Sequence, residues 1–130
     1  MLVVDASVVV PSCWADDGFQ PYSGEELVAP SLLWPEVRSS LHEGVWRGDL
    51  DAADAIAAHG RLGRAPIEAR TPVELGEEAW RIADELGWAK TYDAEYVALA
   101  TLLDCRVVTL DMRLRRGADR LGFVVTPTEL

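Results

Sequence analysis

The stretch Leu2-Val3-Val4-Asp5-Ala6-Ser7-Val8-Val9-Val10 constrains the fold more than any other, because an apolar, β-branched run carries one carboxylate in its middle. Such a run is a buried strand. An ionised Asp inside it would be costly without a partner. The conflict disappears if the strand ends at Asp5, the chain turns at Ala6-Ser7, and a helix begins near Val8. Asp5 then stands at the carboxyl end of a strand, where open α/β sheets gather their ligand sites.

The remaining chain alternates in the same way. Residues 2–5 form the first strand and 7–14 the first helix, which Pro11 should distort unless it falls in the opening turn. Residues 16–24 read as a loop, with Ser23 and Glu26 spaced as a capping box for a very short helical turn before Leu27. Leu27-Val28-Ala29 is a brief strand ended by Pro30. Leu33, Val37, Leu41 and Val45 recur at fourfold spacing in a helix over 32–46, with Pro35 tolerated in its first turn and Gly48 at its end. Asp51 caps a second helix to about Leu62, and 66–70 is a candidate strand. Thr71-Pro72-Val73-Glu74 is the clearest helix start in the sequence, with Thr as cap and Pro at the first helical position. That helix runs to Leu86 and stops at Gly87. Thr91 caps a further helix over 92–103, apolar on all sides around Val97-Ala98-Leu99-Ala100 and therefore buried. A strand over 106–109, a helix from Asp111 to Leu121 and a last strand over 123–125 complete the chain. The alternation predicts an α/β sandwich with a mainly parallel sheet, as one domain over residues 1–130.

Composition narrows the class. A chain of 130 residues, 49% of them apolar, is long enough for a sizeable core. Cys13 and Cys105 have no Cys or His neighbours at zinc-ligand spacing and read as reduced core thiols. No apolar run reaches the roughly 20 residues of a membrane span, and Asp5 interrupts what would be a signal peptide's apolar core. The expectation is a soluble, cytoplasmic protein with no membrane contact. A formal net charge of −10 opposes a broad nucleic-acid face and favours a basic partner. Arg113, Arg115 and Arg116 are the candidate phosphate contacts, although a solvated helix face is the plainer reading of the three. His42 and His59 have no acid–base companion in sequence. Trp34, Trp46, Trp80 and Trp88 lie on or beside helices and suit a core or a dimer face.

Four acids fall where a sheet-end site would be. Asp5 and Asp111 each follow a buried strand, whereas Glu36 and Asp93 lie in the first turns of helices. Singly, each has an ordinary explanation as a turn residue or a partner of the helix dipole. Together they would repel one another and raise each other's pKa unless a cation lay between them. Mg²⁺ or Mn²⁺ suits such oxygen ligands. One or two of these ions would polarise a phosphoryl oxygen, activate water and steady the leaving oxygen, which is metal-assisted phosphodiester hydrolysis.

Val3-Val4-Asp5-Ala6-Ser7, Pro30 six residues before Glu36-Val37, Tyr92-Asp93-Ala94-x-Tyr96-Val97-Ala98-Leu99-Ala100, and Val107-Val108-Thr109-Leu110-Asp111 follow in order. Together they resemble a PIN-domain ribonuclease, and the length and organisation are similar to the VapC toxins of VapBC toxin–antitoxin pairs. The resemblance covers essentially the whole chain. It implies an α/β/α fold with four or five parallel strands, and an endoribonuclease that uses Mg²⁺ or Mn²⁺. Asp5, Glu36, Asp93 and Asp111 would form the acidic pocket, with Asp5, Asp93 and Asp111 on the metal. Ser7 and Thr109 would support them from behind. It further implies a homodimer and a VapB-like antitoxin whose basic tail fills the pocket. The stretch from Trp14 to Leu27 holds less regular helix than the family pattern.

Other readings of a strand-end Asp fit less well. A phosphoacceptor receiver domain wants a doubled acid and a lysine after the last strand, yet Asp5 is single and Lys90 is the one lysine. A phosphatase with an Asp nucleophile wants a second acid where Ser7 stands. A PIN fold kept as a protein-interaction module, or a general RNA-processing nuclease with no toxin role, is the alternative.

Overall fold

The computed structural model describes residues 1–130. Strands β1 (Leu2–Val4), β2 (Leu27–Ala29), β3 (Ile67–Ala69), β4 (Arg106–Val108) and β5 (Val124–Val125) form one sheet in the order β3-β2-β1-β4-β5. Every pairing is parallel, with Val3 opposite Val28 on one side and Val107 on the other. The helices are α1 (Ala6–Trp14), α2 (Leu33–Trp46), α3 (Ala52–Gly63), α4 (Leu75–Leu86), α5 (Tyr92–Leu103) and α6 (Met112–Gly117).

Strand order explains the layers. The chain steps from β1 outward to β2 and β3, then returns across β1 to build β4 and β5. Right-handed crossovers then place the helices before β3 on one face and those after it on the other. The packing agrees: α1, α2 and α3 contact one another, while α4 packs on α5 and α5 on β1 and β4. β1 is the central strand and is fully buried, as are Val107 and Val108 of β4, which is why these strands are continuously apolar rather than alternating. The apolar helix α5 is buried along Tyr96–Ala100. No helix is long and apolar enough to cross a membrane.

The parallel α/β/α expectation and most element positions hold, and three local readings change. Ser23 ends a short 3₁₀ turn over Gln20–Tyr22 instead of starting one, because Pro21 sets the backbone for the earlier turn. Thr71 caps nothing: Arg70 N–H still bonds to Ala29 O at the sheet edge, and Pro72 O accepts from Leu75 N–H, so α4 begins four residues later. Pro11 lies inside α1 without breaking it. Among the tryptophans, Trp46 and Trp80 are largely exposed and take no part in the core.

Candidate active site

β1 and β4 are adjacent, and their connections leave toward opposite faces of the sheet. The crevice at their carboxyl ends is the topological switch point, where such sheets bind ligands. Asp5 follows β1 in extended backbone and caps α1, accepting Val8 N–H on Oδ1 at 3.3 Å. Asp111 follows β4 and caps α6, accepting Arg113 N–H on Oδ1 at 2.9 Å. The feature that makes each acid a helix cap therefore also brings both to one end of adjacent strands.

Hydroxyls lock the crevice. Ser7 Oγ donates to Asp5 Oδ1 at 2.6 Å, and Thr109 Oγ1 donates to Asp5 Oδ2 at 2.6 Å. Ser7 Oγ in turn accepts Leu110 N–H at 2.8 Å, and Thr109 Oγ1 accepts Asp111 N–H at 2.9 Å. The carboxylate after β1 is thus tied through two hydroxyls to the loop after β4. Asp5 is 6% exposed and Thr109 is fully buried, so the bond between them is shielded from water, while the Leu110 end of the lattice is exposed.

Glu36 and Asp93 reach the site from the first turns of α2 and α5. Pro35, directly before Glu36, sits where a helix needs no N–H, and α2 runs unbroken past it. Glu36 Oε1 accepts the Tyr96 hydroxyl at 2.6 Å. Tyr96 is the largest fully buried side chain, so its hydroxyl needs a partner, and it lies three residues from Asp93 on α5. It is the residue that sequence reasoning quoted but gave no role. The signal was available only as a buried tyrosine on the helix turn that carries an acid.

The four acids lie within one another's field. Burial pushes the Asp5 carboxyl up, against the hydrogen bonds from Ser7, Thr109 and Val8, and the charge of Asp111 adds to the rise. Burial likewise raises Glu36, opposed by Tyr96 and reinforced by Asp93, Asp5 and Glu95. Asp93 is raised by partial burial and then by Asp111, with Arg113 acting the other way. At Asp111 burial acts upward, but the Arg113 N–H and guanidinium outweigh it and hold the carboxyl low. The Tyr22 phenol is raised by burial and by the charge of Asp5.

All the donors are oxygens, which suits a hard divalent cation. No group of three or more His, Cys, Asp or Glu side chains is arranged around a single ion. A cation here would therefore be bound in part through water, the usual habit of Mg²⁺.

The three candidate arginines separate. Arg113 lines the cleft that contains Glu36 and Asp93. Arg115 and Arg116 line a different groove against the turn at Pro127–Glu129, where Arg115 is bound to Asp119 at 2.5 Å and to Glu129 at 2.9 Å. His42 and His59 line one apolar groove between α2 and α3, which none of the four acids lines.

Comparison with known proteins places this arrangement. Residues 2–120 match the PIN domain model. Ribonuclease VapC9 of Mycobacterium tuberculosis and VapC ribonuclease Mb0985 of Mycobacterium bovis are each 37% identical to the chain over 129 residues, covering 98% of it and 99% of the relative. The crystal structure of PAE2754 from Pyrobaculum aerophilum superposes with a TM-score of 0.76 at 22% identity, covering 98% of this chain and 90% of that one, and so shares the fold. The chain belongs to the PIN-domain family, and within it to the VapC ribonucleases.

Proposed function

We propose that the protein is the toxin of a type II toxin–antitoxin pair, an endoribonuclease that hydrolyses RNA phosphodiester bonds at the carboxyl end of β1 and β4. The observation that carries this reading is the set of four acids at the switch point of a chain so similar to the VapC ribonucleases. We take residues 1–130 as a single domain whose pocket is formed by Asp5, Glu36, Asp93 and Asp111.

Asp5, Asp93 and Asp111 are the residues that would hold Mg²⁺ or Mn²⁺, and the bound ion would polarise the phosphoryl oxygen and lower the pKa of water. The protein's own part is positional. Ser7 and Thr109 fix both oxygens of Asp5, so its lone pairs point into the crevice without reorganisation. Asp111 is fixed by the start of α6. Glu36, raised by burial and held by Tyr96, is the carboxylate suited to accept a proton from attacking water.

A VapB-like antitoxin fits the same site. Carboxylates raised by mutual repulsion gain from a basic side chain as they do from a cation. The finer expectations are a homodimer, inhibition by an antitoxin tail and cytoplasmic action. Purified protein should cleave RNA with Mg²⁺ or Mn²⁺, stop in EDTA, and lose cleavage on Asp5→Asn. Cleavage that survives in metal-free Asp5→Asn protein would exclude the reading.

A further inference from the structure

We infer that the cleft beside the acids is a subsite for one nucleotide of single-stranded RNA, its base stacked on Tyr92 and its flanking phosphate held by Lys90 and Arg113. The inference rests on the ribonuclease reading and adds to it the seat of the substrate. Glu36 and Asp93 form one part of this cleft of about 480 Å³, and Trp88, Lys90, Tyr92 and Arg113 line the rest.

Charge singles out this wall. A protein of net charge −10 repels RNA over most of its surface, so binding needs cations that are local and free. Arg47, Arg70, Arg81, Arg115 and Arg120 each pair with a carboxylate, and Arg38, Arg61, Arg64, Arg106 and Arg116, which are in no ion pair, do not line this cleft. Lys90, the one lysine, is exposed and takes part in no ion pair. Arg113 is 88% exposed and meets only Asp111, at 3.5 Å. Both cations line the cleft that holds two of the acids, so a phosphate bound by them lies within a nucleotide's reach of the reacting one.

The aromatic content points the same way. Tyr92 is the first residue of α5, next to Asp93, and is 58% exposed instead of packed in the core. An exposed ring in a cleft that also presents cations is how single-strand sites grip bases without reading their edges. The indole of Trp88, by contrast, packs close to Gly117, where an added Cβ would lie 3.2 Å from the ring; this braces the cleft wall against α6.

Anisotropy of a short labelled oligoribonucleotide on the full chain in EDTA tests the subsite without cleavage. Tyr92→Ala should weaken binding on the order of tenfold, with Tyr92→Phe restoring it. Lys90→Ala should weaken it severalfold and reduce the slope of log affinity against log salt by about 0.7. In Mn²⁺ the same variants should raise KM and leave kcat near the parent value. Parent protein that cleaves RNA while both variants bind and cleave as it does overturns the subsite and leaves the ribonuclease reading intact. Parent protein that neither binds nor cleaves RNA removes both. A further overturning result is that Lys90→Ala spares RNA affinity but strengthens an arginine-bearing peptide, which marks the cleft as a protein-tail site.

Discussion

On α4 and at the C-terminal turn, carboxylates are answered by arginines; at the mouth of the sheet only Asp111 is, by Arg113. Arg81 binds Glu78 at 2.5 Å and Glu85 at 2.7 Å, and its hydrogen bonds hold Glu78 low. Arg115 holds Glu129 down to about 2. Asp5, Glu36 and Asp93 are displaced the other way, with burial as the main cause and neighbouring acids reinforcing it. The chain thus supplies counter-charges on the surface and leaves Asp5, Glu36 and Asp93 without a paired cation of their own. On the proposed function, an ion or a partner's basic side chain would supply it.

The largest effect that can break this comparison is at Asp5. Asp5→Asn keeps an oxygen for the cap of α1 and removes a buried charge, but its amide nitrogen cannot accept the Thr109 hydroxyl as Asp5 Oδ2 does; cleavage should fall about a hundredfold or more. Saturating Mn²⁺ should raise the Tm of the parent protein, by the equivalent of about 2.7 kcal/mol at a hundredfold excess over Kd. The variant should lose most of that rise. A calorimetric scan in which Asp5→Asn shifts with Mn²⁺ as much as the parent does would remove the idea of an unanswered charge.

The fold and the acids were legible in different ways. β1, β4 and α5 could be read because burial on all sides leaves a continuous apolar run, and Asp5 and Asp111 stood out as charges at the ends of such runs. Glu36 and Asp93 gained meaning only from their order along the chain, since a lone acid in a helix's first turn serves the dipole equally well. Pairings across long separations were not legible. The Tyr96 bond to Glu36 spans 60 residues, and the Thr109 bond to Asp5 spans 104. Arg115 could be read as a candidate phosphate contact or as part of a solvated helix face, but not as the partner of Glu129, which lies beyond a strand whose placement the local sequence does not dictate. The strong helix signal at Thr71-Pro72 failed because the sheet edge holds Arg70 and delays the start of α4.

Tyr96→Phe comes next in size. The ring stays packed while Glu36 loses its donor, and a hydrogen bond to a charged group is worth about 1.5–3 kcal/mol. Cleavage should fall about tenfold, with KM little changed if Tyr96 acts only through Glu36. Glu36→Gln sharpens the electrostatic side of the same pair. Because the folded-state pKa of Glu36 is raised, burial of its charge opposes folding above that pKa, and the opposition vanishes below the ordinary value of 4.5. The Gln variant should therefore be more stable than the parent at neutral pH, and the difference should close as pH falls into the carboxylate range. Denaturant titrations at several pH values measure this, and a difference that widens on acidification would reverse the sign of the comparison.

The smallest effect is expected at Arg115. In Arg115→Gln, the Glu129 carboxyl should return from about 2 toward its ordinary range, as read by NMR titration. Because that pKa is depressed in the folded protein, the stability the pair supplies is present at neutral pH and lost only as pH falls toward 2. Cleavage should stay within about twofold of the parent, since exposed ion pairs contribute little. The test has force because Arg115 N–H bonds to Asp111 O, so α6 joins the two charge populations directly. If breaking the surface pair lowers cleavage as much as Tyr96→Phe does, the C-terminal turn sets the position of Asp111. Answered and unanswered carboxylates would then be parts of one device.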